Sequence, residues 1–581
     1  MTGGSIKTRA DGVRLAELRG ELVRNALFVC AAAAILILIV LPVGFLFIGS
    51  FRSDGGFTFD NFVEALTGRL TRQALFNSLI LGGWTALFSV LIGVPLAWAV
   101  SRANVPGKGM VFATATLSYL SPPFLTAIAF VSLLSPNAGL LNVFFRDVVG
   151  APALTFNIFS MAGLVLVTTL HTFPFVFLLA SSALRSVDAS YEEAAQILGA
   201  GKVRTALTIS LPLVAPAILS GTLLAFVNAI ALFGSQAIIG LPARIFTLPT
   251  RIYSLFDYPP EYGLASALSL LFVAITIAAL YLQRRFLARR SYVMLGGKGS
   301  RPQPIDLGLW RWVIFTFCLA VAFVAIILPY AALIAMSFSK SWGLDFWHNL
   351  TLGNYRFVLF EYDVTRRAIL NSLLLATAAA TIAVIIGAFV GWIDLRTTLP
   401  GRKILDYAAI IPLGLPGIVM AVALIQFWLA MPLALYGTLT ILLLAYVGRY
   451  IPLAVRAANA SLRQVDPALE ESARILGASW TRTMKEITLP LIRPGLFAGW
   501  LLVFVPVIQE LSASILLFSS SSMTLAVAVY NLYETGQSEN VAALAIVNMI
   551  IISVAMLLAH WVSKKASGRG PGTETVGGVT A

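Results

Sequence analysis

Glu193-Ala194-Ala195-Gln196-Ile197-Leu198-Gly199, followed by Ile209-Ser210-Leu211-Pro212, returns later in the chain as Glu471-Ser472-Ala473-Arg474-Ile475-Leu476-Gly477 and Ile487-Thr488-Leu489-Pro490. Every matched position is displaced by the same 278 residues. Equal spacing at such a separation means a duplicated unit, and the flanking sequence says of what kind. Hydrophobic residues make up 59% of the 581 and charged residues 11%, against about 25% charged in a soluble domain. The runs from Leu27 to Ile48, Met161 to Leu184 and Trp312 to Met336 are each long enough for a bilayer that needs roughly 20 residues. The expected fold is an all-α integral membrane protein.

Twelve candidate spans follow, six in each half. The first six lie at about 26–50, 75–101, 110–134, 158–184, 212–239 and 262–284. The others lie at about 312–337, 368–394, 404–430, 436–461, 489–518 and 541–562. The expected organisation is an N-terminal tail (1–25), a first six-helix domain (26–284), a linker (285–311), a second six-helix domain (312–563) and a disordered C-terminal tail (564–581). The repeat reaches beyond the opening motif. Asn77-Ser78 and Pro106-Gly107 recur 294 residues on as Asn371-Ser372 and Pro400-Gly401. Thr247-Leu248, Tyr253 and Leu255 recur 277 residues on as Thr524-Leu525, Tyr530 and Leu532. Six is even, so both copies enter from one side and the repeats are parallel.

Orientation follows from the basic residues, which favour cytoplasmic loops. With both termini cytoplasmic, 29 of the 40 Lys and Arg fall inside and 10 outside, with Arg449 left within a span. The net charge of +14 then reflects topology and attraction to anionic membrane lipid, and no nucleic-acid partner is expected. The basic N-terminal tail precedes an apolar run too long for a signal-peptide core, so it reads as a retained first span. Cys30 and Cys318 give no disulfide or metal framework and read as small packing residues. The linker stretch Gly296-Gly297-Lys298-Gly299-Ser300 lacks the Gly-x-x-x-x-Gly-Lys-Ser/Thr spacing of a phosphate loop. The chain therefore carries no nucleotide site, cofactor or catalytic residue of its own.

The motif itself predicts a capped loop helix. Asp188 can cap its start, Ser190 and Glu193 have capping-box spacing, and Glu192 and Glu193 sit where the helix dipole favours negative charge. Asp466-Pro467 is the corresponding start in the second half. Gly199 and Gly477 suit a left-handed C-terminal cap. Ala194, Ala195, Ser472 and Ala473 keep one face small enough for a second protein to approach closely.

With these residues the chain resembles the permease component of binding-protein-dependent ABC importers, whose cytoplasmic Glu-Ala-Ala loop docks into a cleft of each ATPase subunit. The resemblance covers residues 25–563; in the second loop motif Ser472 stands where the family has Ala, and Phe233-Gly234-Ser235-Gln236 brings no acidic counterpart to Glu510. Fusion of two six-span units, Thr-Leu-x4-Tyr-x-Leu before each last span and Gln509-Glu510-Leu511 late in the fifth span resemble the ferric-iron and thiamine permeases. The resemblance implies a type I importer fold in the bacterial inner membrane, a periplasmic binding protein, and two copies of an ATPase that holds ATP and magnesium. Glu193, Ala194, Ala195, Gly199, Glu471, Ser472, Ala473 and Gly477 would couple the chain to that ATPase. Ferric iron is the first choice of cargo, with thiamine or aminoethylphosphonate as alternatives. A secondary transporter driven by an ion gradient would account for the hydrophobicity and duplication but not for the two loop helices. A membrane enzyme would want clustered catalytic groups, whereas His171, His348 and His560 are scattered.

Ionisable groups inside spans are costly and mark pathways or structural pairs. His171 and Arg449 occupy the same position of the fourth spans, three residues before Pro174 and Pro452. They either line the translocation path or bond carbonyls that the prolines free. Glu510 either pairs with Arg449, lines the path, or meets a cation. No metal site is expected among them. Arg244, Arg251, Asp257, Glu261, Glu534 and Glu539 lie on the loops between fifth and sixth spans, where they either meet the binding protein or are solvated loop charges.

Overall fold

In the computed structural model, which describes residues 22–53, 56–151, 153–188, 190–289 and 305–567, the apolar runs become helices. Spans one, two, four, five and six of the first half are Leu22–Ser50, Arg69–Arg102, Met161–Ser186, Ala206–Ala231 and Tyr262–Arg289. Those of the second half are Trp310–Ser337, Asp363–Arg396, Leu439–Leu462, Trp480–Ile508 and Ser538–Ser567.

The third spans are not straight. Each is a helix pair, Lys108–Leu120 with Pro123–Leu134 bent by 100°, and Arg402–Gly414 with Gly417–Leu429 bent by 116°. Pro122-Pro123 and Pro416-Gly417 cause the breaks, since proline lacks the N–H that would continue the ladder. The pairs nevertheless cross. Arg102 Nη2 donates to Val187 O at 2.8 Å, so spans two and four end on one face. The Ile158 N–H donates to Leu134 O at 3.2 Å, so the bent pair ends on the opposite face, where span four begins. Arg396 Nη2 donating to Leu462 O at 3.0 Å fixes the same arrangement in the second half. The twelve-span, two-repeat fold is thus present, with two spans broken.

The fifth spans end earlier than the hydropathy suggests, at Ala231 and Ile508, and resume as short helices Gly234–Gly240 and Ser514–Leu517. Their starts carry a second irregularity. A π-turn, Ala206–Ser210 or Met484–Thr488, stands just before Pro212 or Pro490. Wider turns accommodate a proline that cannot donate to the preceding turn, which gives the Ile-x-Leu-Pro element its backbone meaning. The first spans have the same device, Leu36–Val40 before Pro42 and Phe323–Ile327 before Pro329. The last helix reaches Ser567, past the boundary drawn at 563, while linker residues 290–304 and tail residues 568–581 lie outside the described residues.

Span two packs along span four in each half, and glycine lets the backbones close. A Cβ on Gly93 would lie 3.0 Å from the Phe177 nitrogen, and one on Gly387 would lie 2.8 Å from the Ala454 carbonyl carbon. Span one reaches across to span three of the other half. Tyr330 hydroxyl bonds the Ser121 hydroxyl; beside this contact Trp342, just past span one, donates from Nε1 to Ser132 O at 2.9 Å, and Gln426 of the other third span donates from Nε2 to Ser266 Oγ of span six at 2.9 Å. Cys318 is buried as expected of a packing residue, whereas Cys30 is exposed.

Candidate coupling site at the two loop helices

The loop helices are Ser190–Ile197 and Pro467–Ile475. Asp466 accepts from the Ala468 N–H at 2.9 Å, and Asp188 accepts from the Ser190 N–H at 2.9 Å. At the other end Gly199 and Gly477 have φ of +86° and +85°, the left-handed conformation that disfavours a Cβ. The N–H groups of Ala200 and Ala478 reach back to Ala195 O and Ala473 O, both at 2.9 Å, closing the Schellman pattern.

Each helix hangs from a buried ion pair. Arg102 Nε lies 3.3 Å from Glu192 Oε1, and Ser210 Oγ donates to the same oxygen at 2.5 Å. Arg396 Nε lies 3.4 Å from Glu470 Oε1, and Thr488 Oγ1 donates to it at 3.0 Å. Glu192 and Glu470 are 5% and 3% exposed. Burying two charges costs more than a bare pair returns unless further hydrogen bonds satisfy them. Here the hydroxyl at the start of span five and carbonyls at the end of span four supply such bonds, although Arg102 Nε and Nη1 and Arg396 Nε have none. The arrangement ties the loop helix to the ends of spans two, four and five at once.

The opposite face of each helix is apolar and open. Tyr191, Ala194 and Leu198 form one stripe, and Leu469, Ser472 and Leu476 form its copy, all exposed. Leu198 and Leu476 are each 87% exposed. Charge inside and leucine outside inverts the usual amphipathic helix, and matched apolar projections of this kind mark a contact surface. Glu471 is also exposed, while the Glu193 side chain lies outside the described residues. Ala195 and Ala473 are buried, so of the four small residues only Ala194 and Ser472 lie on the open face. Ala195 and Ala473 instead let the helix settle against its own chain.

The candidate pathway residues do not form one site. Arg449 Nε lies 3.7 Å from Glu510 Oε2. Glu510 also accepts from the Tyr450 hydroxyl and from the Ala513 N–H at 2.9 Å. It therefore sits in the break after span five, capping the next short helix. In the first half the break is bridged by an amide instead: Gln236, inside the next short helix, donates to Ala229 O of span five at 2.8 Å and accepts from the Thr247 hydroxyl. His171 stacks on Tyr119 with ring centroids 6.3 Å apart. The carbonyl that Pro174 frees, Leu170 O, is bonded by the Ser118 hydroxyl, while His171 bonds the backbone of Ser118 and Ser121 beside the break at Pro122-Pro123.

At the face opposite the loop helices, two short helices follow the broken fifth spans: Leu248–Ser254 and Leu525–Glu534. Phe233 has ring centroids 5.1 Å from Tyr253 and 6.0 Å from Tyr530 of the other half. Tyr533 hydroxyl donates to Ile238 O at 3.3 Å. This layer closes the two halves on each other. Of the loop charges nearby, Glu539 accepts from the Trp342 N–H at 2.9 Å and Arg251 Nη1 donates to Ser254 Oγ at 3.2 Å, both contacts within their own halves.

Residues 89–292 and 383–568 each match the family model described as the inner membrane component of binding-protein-dependent transport systems. The chain belongs to this family. As a two-repeat permease it is similar to the ferric transport system permease protein FbpB of Actinobacillus pleuropneumoniae, 26% identical over 542 residues, 90% of this chain and 76% of that one. It is also similar to the Fe(3+)-transport system permease protein FbpB 2 of Haemophilus influenzae, 25% identical, 89% of this chain and 95% of that one. The molybdenum transport system permease protein ModB of Escherichia coli is 32% identical over 222 residues, 38% of this chain and 94% of that one. That shorter relative spans the length of one repeat.

For this permease the sequence motif pointed to Glu193 and Glu471, and the neighbouring glutamates, Glu192 and Glu470, are the anchors. Nothing local distinguishes them. The repeat register could have: Arg102 and Arg396 are 294 residues apart, Glu192 and Glu470 are 278 apart, as are Ser210 and Thr488. A charge pair kept in both copies is a contact prediction.

Proposed function

We propose that this permease carries ferric iron inward across the bacterial inner membrane, receiving it from a periplasmic binding protein, with the loop helices facing the cytoplasm. Two ATPase subunits, which hold ATP and magnesium, seat the two apolar stripes at Leu198 and Leu476. The charge asymmetry of the loops supports the orientation. The duplicated stripe on a buried Arg–Glu anchor carries the coupling assignment: a helix tied to three spans yet projecting leucines outward is built to receive force. Likeness to two ferric permeases through both repeats supports the cargo. ATP and binding protein then shift the population between inward- and outward-open states, each by its differential affinity for them.

Uptake of radiolabelled ferric iron by membrane vesicles holding the binding protein and ATPase tests this reading. Uptake should require ATP, and L198D with L476D should abolish ATPase assembly. Uptake of thiamine or aminoethylphosphonate instead would reassign the cargo. Uptake driven by an ion gradient without an ATPase would refute the coupling.

A further inference from the structure

We propose that span two of each half is a push-rod that joins the loop helix to the closing layer on the opposite face. Arg102 and Arg396, the last residues of the two spans, hold Glu192 and Glu470 of the loop helices. At the other end the same spans hold the short helices of the closing layer. Ser78 Oγ accepts from the Leu248 N–H, and Ser372 Oγ accepts from the Leu525 N–H, both at 2.8 Å. Asn77 Nδ2 donates to Phe246 O at 2.8 Å, and Asn371 Nδ2 donates to Met523 O at 3.0 Å. Ser78 and Ser372 are buried.

The two ends are 24 residues apart in both halves, Ser78 to Arg102 and Ser372 to Arg396. Both lie on one 34-residue helix, which in the first half continues through Pro95 with one ladder bond missing and in the second half has no internal proline. At 1.5 Å per residue that separation is about 36 Å, the thickness of a bilayer core and its margins. A helix resists compression and axial rotation far better than a loop, so displacement at one end is delivered to the other. The short helices it grips carry Tyr253 and Tyr530, whose rings meet Phe233 where the halves close. Asn77-Ser78 and Thr247-Leu248, which the sequence shows only as two separate repeats, are therefore one contact, and the rod explains why both are kept in both copies. Coupling by a rigid element with defined grips at each end is the physical form such transmission takes.

The inference rests on the proposed ATP-driven reading, and the experiment separates the two. The complete complex with its ATPase is reconstituted from a chain with Cys30→Ala and Cys318→Ala and one reporter, Tyr253→Cys. Labelling of the reporter by a membrane-impermeant maleimide from the binding-protein side is followed with and without ATP. In the parent, ATP and binding protein should raise labelling at least fivefold. Ser78→Ala with Ser372→Ala should keep ATPase assembly and ATP turnover within twofold, yet lose the ATP-dependent labelling and at least tenfold in cargo moved per ATP. Ser78→Thr with Ser372→Thr, which retains the acceptor, should restore both. If the alanine pair misfolds, Asn77→Ala with Asn371→Ala supplies the same measurement. Labelling and cargo per ATP at parental levels in the variants that lack the grip would overturn the rod. A parent that neither assembles with an ATPase nor responds to ATP would overturn the transport reading beneath it.

Discussion

Two adjacent glutamates in the second loop helix should behave in opposite ways. Glu470 is buried against Arg396, and Glu471 is exposed. Removing one partner of a buried pair leaves a charge stranded at a cost of about 3–5 kcal/mol, so Glu470→Ala should lower thermal stability of the purified chain by roughly that amount. Glu471→Ala should leave stability within about 0.5 kcal/mol and weaken only assembly with the ATPase, measured by co-purification. Gly477→Ala has open space around its new Cβ, so its penalty is conformational alone, about 1–2 kcal/mol for a left-handed residue. At this scale the sequence was readable where a residue acts through its own backbone. Gly199, Gly477 and Asp466 took the caps their types dictate. It was silent where a residue acts through a distant partner, because nothing near Glu192 announces Arg102.

At the scale of elements, the breaks decide what hydropathy leaves undetermined. Runs 110–134 and 404–430 are predominantly apolar, with Asp406 the one charged residue in them, and composition is blind to a bend; only Pro122-Pro123 and Pro416-Gly417 carry it. The bend in the second half also makes room. A Cβ on Gly417 would fall 1.7 Å from Arg449 Nη1, so Gly417→Ala must push the guanidinium away from Glu510. Its effect should therefore resemble that of Arg449→Met. The pair itself can be weighed by a double-mutant cycle: Arg449→Met and Glu510→Gln together should cost less than the sum of the single changes, with a coupling of about 0.5–3 kcal/mol read from thermal unfolding. Additive losses would mean that Glu510 works only as the cap of Ser514–Leu517. The first half bridges its break with an amide placed differently: Gln236, inside the following helix, donates to the Ala229 carbonyl, whereas Glu510 stands in the break and accepts from the Ala513 N–H.

For the whole molecule, duplication predicts two bundles side by side, but the contacts describe two halves that clasp each other. Span one of each half lies on span three of the other, through Tyr330 with Ser121 and Trp342 with Ser132 on one side. On the other side span six joins span one against span three: Gln426 reaches Ser266 and Tyr262 of span six, and Thr276 Oγ1 of the same span donates to Gly414 O at 2.6 Å. Phe233, Leu511 and Tyr530, all buried, complete the seam. Buried groups of this kind lose their partners if one half is absent, and an unpaired hydrogen-bonding group within a membrane costs several kcal/mol. Neither half should therefore be stable alone, whereas covalent continuity should be dispensable once both are present. Cutting the chain between Gly297 and Lys298 and expressing the two pieces together should give a complex that co-purifies through a tag on either piece and retains ATP-dependent uptake. Tyr330→Phe with Trp342→Phe should weaken that co-purification while leaving the intact chain assembled, because the linker keeps the halves at high effective concentration. If each piece instead purifies alone, folded and with unchanged stability, the clasp is not what joins them and the linker is.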